Sequence, residues 1–510
     1  MSEPELLLRG GTVIDGTGAP ARRADVLARG GRIVAVGENL TAEHRLDCGG
    51  LAVAPGFIDT HSHSDLKLFE DPSLPMKVGQ GVTLELLGQD GISVAPVRRE
   101  AVPELRRQLA GLLGDPAAAP WSWQTVAEYL GALRALAPAP NVEYLVPHGT
   151  LRAYVMGPAA RAPSQDELAR MRAQLERALS EGAVGLSTGL IYPPCCYADR
   201  AELVALAEVC AAARRSLVAH IRSESDYILE AIAEMVEIGR ASGASIHISH
   251  WKIAGRDNFA LLDRVIDAVE QARAAGVRVT CDQYPYAAGS TLMGAILPPW
   301  VHDGGPAAAL ARLRDPAARA RMRADMTAPP PHKWDNFWAW TGPDGIVISD
   351  LPSGRRPGLA GQTVRAAADG ADPLEFALDL LVDEALGVGM ISHSQSEAVV
   401  ERLLTKPYVN VCTDGLLGGR PHPRAYGTYP RILGRYVREK GLLPLEEAVR
   451  KMTSQAASAL GLAGGVIAPG QSADLVVFDP ATIEDRATFA DPTRPPVGIA
   501  HVIVRGRIVK

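Results

Sequence analysis

Cysteine is scarce in this chain. Its six residues, Cys48, Cys195, Cys196, Cys210, Cys281 and Cys412, fall at no framework spacing, which argues against a disulfide-stapled scaffold and for free thiols. No run of about 18 apolar residues occurs, so no membrane span is expected. The opening MSEPELLLRGG lacks a basic stretch followed by an apolar core; no secretory leader is read, and a cytoplasmic location is expected. Basic residues are scattered and outnumbered, 52 Lys and Arg against 58 Asp and Glu, for a net charge of −6. A nucleic-acid partner is therefore not expected, and the partner class left is a small-molecule substrate. Internal repeats are absent as well. What remains is ordinary for a globular enzyme: 47% hydrophobic and 22% charged residues, with 50 Gly and 38 Pro to supply turns. The length of 510 residues accommodates one large domain and a smaller one. Oligomeric state is not legible.

The two ends of the chain read alike. Ala24–Gly37 (ADVLARGGRIVAVG) carries two alternating runs joined across Gly30–Gly31, a hairpin signal. Ala473–Asp479 and Gly498–Val509 are strand-like, with a turn at Arg505–Gly506. A small β domain built from residues 1–52 and 463–510 is expected. Between them, residues 53–462 alternate short β-rich runs with helical stretches. The runs are Val53–Ile58, Val82–Leu87, Val142–Pro147, Ala183–Ser187, Ser216–Ala219, Ser245–Ser249, Val277–Cys281 and Tyr408–Cys412. Pro163–Glu181, Arg200–Arg215, Tyr227–Gly243 and Asn258–Ala275 have helical apolar spacing. The alternation predicts an α/β fold, a (β/α)8 TIM-like barrel. The stretch after the seventh run is too long for a bare barrel. Its Trp- and Pro-rich piece Ala328–Ser349 reads as part of an inserted lid at about 300–385.

In such a barrel the active site lies at the C-terminal strand ends. Those ends carry His61 and His63 in LAVAPGFIDTHSHSD, then Asp90, His148, His220, His250 and Asp414. Residues two apart in extended backbone face the same way, so His61 and His63 project together. A lone HxH is weak; five histidines at the same barrel face point to Zn2+ or a similar divalent ion. Asp414, at the last strand end, is placed to act as general base and then general acid.

Longer motifs run in order from end to end: GFIDTHSHSD at 56–65, GISVAP at 91–96, STGLIYPP at 187–194, HIRSE at 220–224, ISHWK at 248–252, DQYPYAAGST at 282–291, LPPW at 297–300, TDG at 413–415, RPHPRAYGTYPRILG at 420–434 and GGVIAPGQSADLVVFDP at 464–480. Together they resemble the amidohydrolase superfamily and, within it, the N-acyl-D-amino-acid deacylases, or D-aminoacylases. The resemblance implies a β-sandwich from both termini beside the barrel, and a zinc site with one tightly held ion and a weaker second position. It assigns His220 and His250 to the tight ion, and His61, His63 and Asp414 to the weaker position, with Asp414 also moving the proton. The family's usual Cys after the second strand is replaced here by Asp90, in Gly88-Gln89-Asp90-Gly91. A carboxylate can bind or bridge zinc, but as a harder ligand it can change metal preference and stoichiometry. The resemblance also assigns Lys252, Tyr284 and Arg424, with Ser290, to the substrate carboxylate, a role that suits Arg and Lys chemically.

The implied reaction is hydrolysis of N-acyl-D-amino acids to a free D-amino acid and a carboxylate. The preference for D rests on the resemblance alone. Leu292–Trp300 (LMGAILPPW) has no charge, which favours neutral or apolar side chains. Three alternatives stay open: a dipeptidase or carboxypeptidase on L-Xaa-D-Xaa, a cyclic-amide hydrolase such as a hydantoinase or dihydroorotase, and an inactive barrel serving as a scaffold. No lysine is placed to serve as the carboxylated bridge of dihydroorotase-like relatives. Cys195 and Cys196 are expected near the mouth of the barrel, with Cys lining the pocket.

Overall fold

The computed structural model describes residues 5–510. Eight parallel strands form its centre: β1 (Phe57–Asp59), β2 (Val82–Leu87), β3 (Asn141–Tyr144), β4 (Gly185–Gly189), β5 (Ser216–His220), β6 (Ser245–Ile248), β7 (Val279–Gln283) and β8 (Val409–Val411). Parallel ladders run β1–β2–β3 and β4–β5–β6–β7–β8. The short continuation Val146–Pro147 of β3 pairs with β4. The amide of Asp414 donates to the His61 carbonyl at 2.9 Å and Ser62 bridges Gly415, which joins β8 back to β1 and closes the barrel. Parallel strands need helical crossovers, and these are well capped. Gln165–Ser180 starts at a Ser164–Glu167 capping box, Arg200–Ala212 at Asp199, and Ile228–Ser242 ends on left-handed Gly243 (φ 72°). The strand and helix interiors share one core that includes Leu217, Ile246, Val279, Leu206 and Ile232.

The run Leu51–Ile58 divides. Ala52–Pro55 pairs antiparallel with Leu475–Phe478 in the sheet of the chain termini, and only Phe57–Asp59 enters the barrel. Gly56 makes the break: an added Cβ there would lie 2.1 Å from the Thr83 hydroxyl oxygen, so the chain crosses β2 closer than any side chain permits. The terminal sheet has eight strands and includes the Arg22–Arg29/Arg32–Gly37 hairpin, turned by Gly30 and Gly31 at φ 57° and 80°. Its alternation serves two cores: Val53, Leu475 and Val477 pack inside it, whereas Ala52, Ala54, Val476 and Phe478 pack against barrel residues Phe57, Val82 and Tyr429.

The insertion is wider than about 300–385. A three-stranded antiparallel sheet of Gly289–Leu292, Gly389–Ser392 and Ile346–Asp350 brackets it. Met390 and its neighbours pair on both sides, so the strands that begin and end the insertion lie outside its helical part. It has its own core of Met293, Ile296, Met322, Met326, Leu374, Leu378 and Met390. Gly56→Ala is expected to lower stability by about 1–3 kcal/mol through overpacking against Thr83, measured by denaturant unfolding.

Candidate metal centre

At the C-terminal mouth of the barrel the chain His61-Ser62-His63-Ser64 remains extended enough for its side chains to alternate. The two imidazoles face the cavity, and the two hydroxyls turn the other way onto Glu85. Three of the residues at the mouth sit in the left-handed region that non-glycine residues seldom use: Asp90 (φ 54°), His250 (φ 37°) and Asp414 (φ 48°). Each is held there by its surroundings. The Asp90 loop is pinned at both flanks by Asp65, which accepts from the Gly88 amide and the Ser93 hydroxyl. The His250 amide donates to Asp282, and the Asp414 amide to the His61 carbonyl. Backbone strain of this kind persists at functional sites where packing over-determines it.

Six side chains form two groups that share one member. His61, His63, Asp90 and Asp414 make the first; Asp90, His220 and His250 make the second. Asp90 Oδ2 lies 3.4 Å from His61 Nε2 and 3.5 Å from His63 Nε2, while its Oδ1 lies 3.4 Å from His250 Nε2. Asp414 Oδ1 lies 3.6 and 3.4 Å from the same two nitrogens of His61 and His63. His220 Nδ1 is 2.9 Å from His250 Nε2. All six residues are at most 5% exposed, yet both ring nitrogens of His61 and of His63, Nε2 of His220 and Oδ1 of Asp90 have no hydrogen-bond partner. Buried polar atoms are rarely left so, and unpartnered nitrogens and carboxylate oxygens converging on two points fit divalent metal ions. The set contains no thiolate, which makes it a nitrogen and oxygen donor set.

The electrostatics agree. Burial opposes charge on His63, but Asp414 and Asp90 outweigh it and lift its pKa to about 9. Burial and Lys252 also oppose charge on His250, and Glu224 and Asp90 carry it to about 10. His220, where burial dominates, falls to about 4. Burial raises the carboxyls of Asp90 and Asp414, but the neighbouring basic side chains prevail: His61 and His250 beside Asp90, Arg424 and His61 beside Asp414, leaving both well below the usual carboxylate range. Ionised acids facing His63 and His250, which gather protons, mark a place where a dication would displace those protons and keep the acids as ligands.

Beside these groups stand the four residues expected at the substrate carboxylate. Arg424 is fully buried; its Nη1 lies 2.9 Å from Asp414 Oδ2, its Nη2 donates to the Ser290 carbonyl at 2.9 Å, and its guanidinium stacks 4.4 Å over the Tyr284 ring. Lys252 Nζ lies 2.7 Å from His250 Nδ1 and pairs with Glu224. The Ser290 hydroxyl donates to the Met390 carbonyl. All four line one cavity with His63, Asp90, His220, His250 and Asp414, and Phe337 and Trp340 of the insertion contribute to the same lining. Asp335 ties that segment down, accepting from the hydroxyls of Ser223 and Ser225 and from the Glu224 amide. An adjoining cavity, sharing Tyr192 and Phe337, is walled by Ile92, Leu190, Leu292 and Leu297.

His148 does not join the others. It is buried at the end of β3, but Nε2 lies 2.8 Å from Glu202, which also pairs with Arg152, and Nδ1 lies 2.9 Å from the Thr188 hydroxyl. Its ring is consumed by a structural network. Cys195 is buried against the Gly91 carbonyl, and only Cys196 lines the adjoining cavity. Glu224 and Gln395 are cavity residues that spacing did not single out, the latter donating to the Tyr284 hydroxyl at 2.8 Å. Glu224 sits four residues after His220 within HIRSE, a carboxylate spaced to reach both a ligand and Lys252. Lys77 lies beneath the site, occupied by Asp59 and Glu85.

Residues 45–510 match the Amidohydrolase family. A D-aminoacylase of Alcaligenes xylosoxydans xylosoxydans is 38% identical over 510 residues, covering 99% of this chain and 94% of that protein. An N-acyl-D-glutamate deacylase of the same organism is 39% identical over 508 residues, covering 98% and 93%. The crystal structure of N-acyl-D-glutamate deacylase from Bordetella bronchiseptica, complexed with zinc and a phosphonate mimic of the tetrahedral intermediate, superposes with a TM-score of 0.85 at 37% identity, covering 100% of this chain and 97% of that one.

Substituting His148 by Ala leaves Glu202 and Arg152 buried without their third partner. The expected result is a loss of about 3–5 kcal/mol in denaturant unfolding with metal content per chain unchanged by elemental analysis.

Proposed function

Because the chain belongs to the amidohydrolase family, we propose that it is a metal-dependent deacylase that hydrolyses the amide bond of N-acyl-D-amino acids, releasing the D-amino acid and a carboxylate. The observation that carries this reading is the juxtaposition of the six-residue donor set with a buried arginine that touches both Asp414 and the ring of Tyr284. In this reading His220, His250 and Asp90 hold the tighter ion, and His61, His63, Asp90 and Asp414 the weaker. A divalent metal such as zinc held by these residues would lower the pKa of a water molecule and polarise the amide carbonyl. Asp414 then has a carboxylate oxygen free of Arg424 with which to take the water's proton and return it to the leaving nitrogen. Arg424, Lys252, Tyr284 and Ser290 hold the free α-carboxylate, a group that an N-acyl-amino acid has and a simple hydantoin lacks. Asp90 occupies the place between the two groups, so no lysine is needed as a bridge.

The relatives include enzymes named for acidic and for other D-amino acids, so the side chain must be argued from this chain's own walls. Of the cations that line the same cavity, Arg222 is taken by Glu234, Arg107 by Glu104, and Lys333 is exposed without an ion pair among the described residues; Leu292, Leu297, Ile92 and Phe337 make its walls apolar. A neutral or apolar side chain fits that lining. The insertion serves as a lid over the site, and the terminal segments, residues 5–55 and 463–510 among those described, form a β-sandwich domain beside a barrel that begins at Phe57. No described helix is long and apolar enough to cross a membrane.

Rates on N-acetyl derivatives of D-leucine, D-methionine, D-glutamate and D-aspartate, on their L-forms and on L-Xaa-D-Xaa dipeptides test the assignment. Neutral N-acetyl-D-amino acids are expected to lead; a lead for the acidic ones overturns the pocket reading, and a lead for dipeptides overturns the acyl reading. Asp414→Asn is expected to fold and retain metal while turnover falls by roughly 10²–10⁴-fold. Asp90→Ala is expected to lose bound metal by elemental analysis, since both donor groups lose a member; unchanged stoichiometry removes it from the site.

A further inference from the structure

Directly below the donor set lies a fully buried cation that the reaction does not use. Lys77 Nζ is 2.7 Å from Asp59 Oδ2, 2.6 Å from Glu85 Oε1, 2.8 Å from the Ser62 hydroxyl and 3.0 Å from the Thr413 hydroxyl. All five side chains are at most 1% exposed. Burying an ammonium is costly unless every donor is satisfied, and simple filling of this space would be served by an apolar side chain. The identity of the partners suggests what the cation is for. Asp59 ends β1, two residues before His61. Ser62 separates His61 from His63. Glu85 lies on β2, which leads into the Asp90 loop. Thr413 precedes Asp414 after β8.

We propose that Lys77 is a positioning residue for the metal centre, its ammonium setting the spacing of the three strand ends that carry His61 and His63, Asp90, and Asp414. The serines make the link concrete. Ser62 and Ser64 both donate to Glu85 Oε1, so the orientation of the strand end that aims the two imidazoles is fixed from below by the carboxylate Lys77 holds. Asp59, the other carboxylate, accepts from both the amide and the hydroxyl of Thr413, at 2.8 and 2.6 Å. That pair couples β1 to β8 and sets where Asp414 stands. Remove the cation and two carboxylates face each other in a medium that screens them poorly. The strand ends would separate by the route that most disturbs the donor atoms. The cluster of one ammonium and two carboxylates also leaves one net negative charge under the imidazoles, which favours a dication above it.

This inference rests on the metal reading of the donor set. The test uses the full-length zinc-loaded chain and Lys77→Gln, with three readouts: zinc affinity by chelator competition, unfolding temperature with and without zinc, and kcat and KM. Partners behind metal ligands typically change metal affinity about 10–100-fold, and a loss of that size is expected, with kcat reduced and KM within about threefold because the carboxylate clamp is untouched. Parallel loss of stability in the zinc-free and zinc-loaded protein with unchanged zinc affinity would make Lys77 merely structural and overturn the proposal. If Lys77→Gln does not fold, Glu85→Gln, which keeps the ammonium but removes one of its two carboxylate partners and weakens the hold on Ser62 and Ser64, is read the same way: unchanged zinc affinity overturns it. A wild-type chain that binds no divalent metal ends the metal reading itself, a result distinct from either variant outcome.

Discussion

The structure depends on an alternation five residues long. In His61-Ser62-His63-Ser64-Asp65 the odd positions face the cavity or its rim and the even ones face the barrel floor. Above lie the donor atoms; below lies the Lys77, Asp59 and Glu85 cluster. A backbone that slipped by one residue would exchange the imidazoles for hydroxyls and destroy both layers at once. Gly56 fixes that register from the N-terminal side, where only a missing side chain lets the strand cross Thr83, and the His61 carbonyl fixes it from the other by accepting the Asp414 amide. The same few residues therefore close the barrel, seat the terminal sheet against it and aim the ligands.

Such a site is expensive to build. Six ionisable residues in the donor set and three beneath it are buried together, and Asp90, His250 and Asp414 hold left-handed backbone. Each strained residue costs on the order of 1–3 kcal/mol and needs a surrounding frame that leaves it no alternative. The frame is visible in the hydrogen bonds: Asp65 on the Asp90 loop, Asp282 on the His250 amide and on Thr60, Asp59 on Thr413. These acids are not among the residues that line the cavity. They convert a closely packed barrel into a rigid mount for ligands that would otherwise relax away from one another.

Much of the site was legible because barrel chemistry concentrates at strand ends, and strand ends are short apolar runs stopped by a polar residue. That pattern singled out His61, His63, Asp90, His220, His250 and Asp414, which the structure brings together as a candidate donor set. It overreached at His148, whose strand end is equally polar but whose ring is absorbed by Glu202 and Thr188, partners 54 and 40 residues away. It could not see Lys77. A lysine five positions before a strand is unremarkable in a sequence, and its meaning comes from carboxylates on β1 and β2 that approach only when the barrel closes. The break at Gly56 was hidden for a similar reason: Leu51–Ile58 is continuously apolar because both of its halves are buried, one in each sheet. The insertion was recognised by its length and aromatic content, but its bounding strands were not, since each is four or five residues with no alternation of its own.

In the proposed reading Arg424 joins recognition to chemistry. Its guanidinium is committed to Asp414 on one nitrogen and to the Ser290 carbonyl on another, while Nε has no partner and the planar face lies on Tyr284. The planar fork carries five N–H donors, so one arginine can hold Asp414 and a second carboxylate together. In an N-acyl-α-amino acid the carboxylate and the amide nitrogen are attached to the same carbon. In the proposed reading, a substrate carboxylate anchored on Arg424 therefore brings its amide nitrogen to the neighbourhood of the Asp414 oxygen that must protonate it. A substrate with one more carbon between the two groups would satisfy the arginine and miss the base. Selectivity for α-amino acids then follows from sharing one cation between clamp and base, and needs no separate residue to measure the distance.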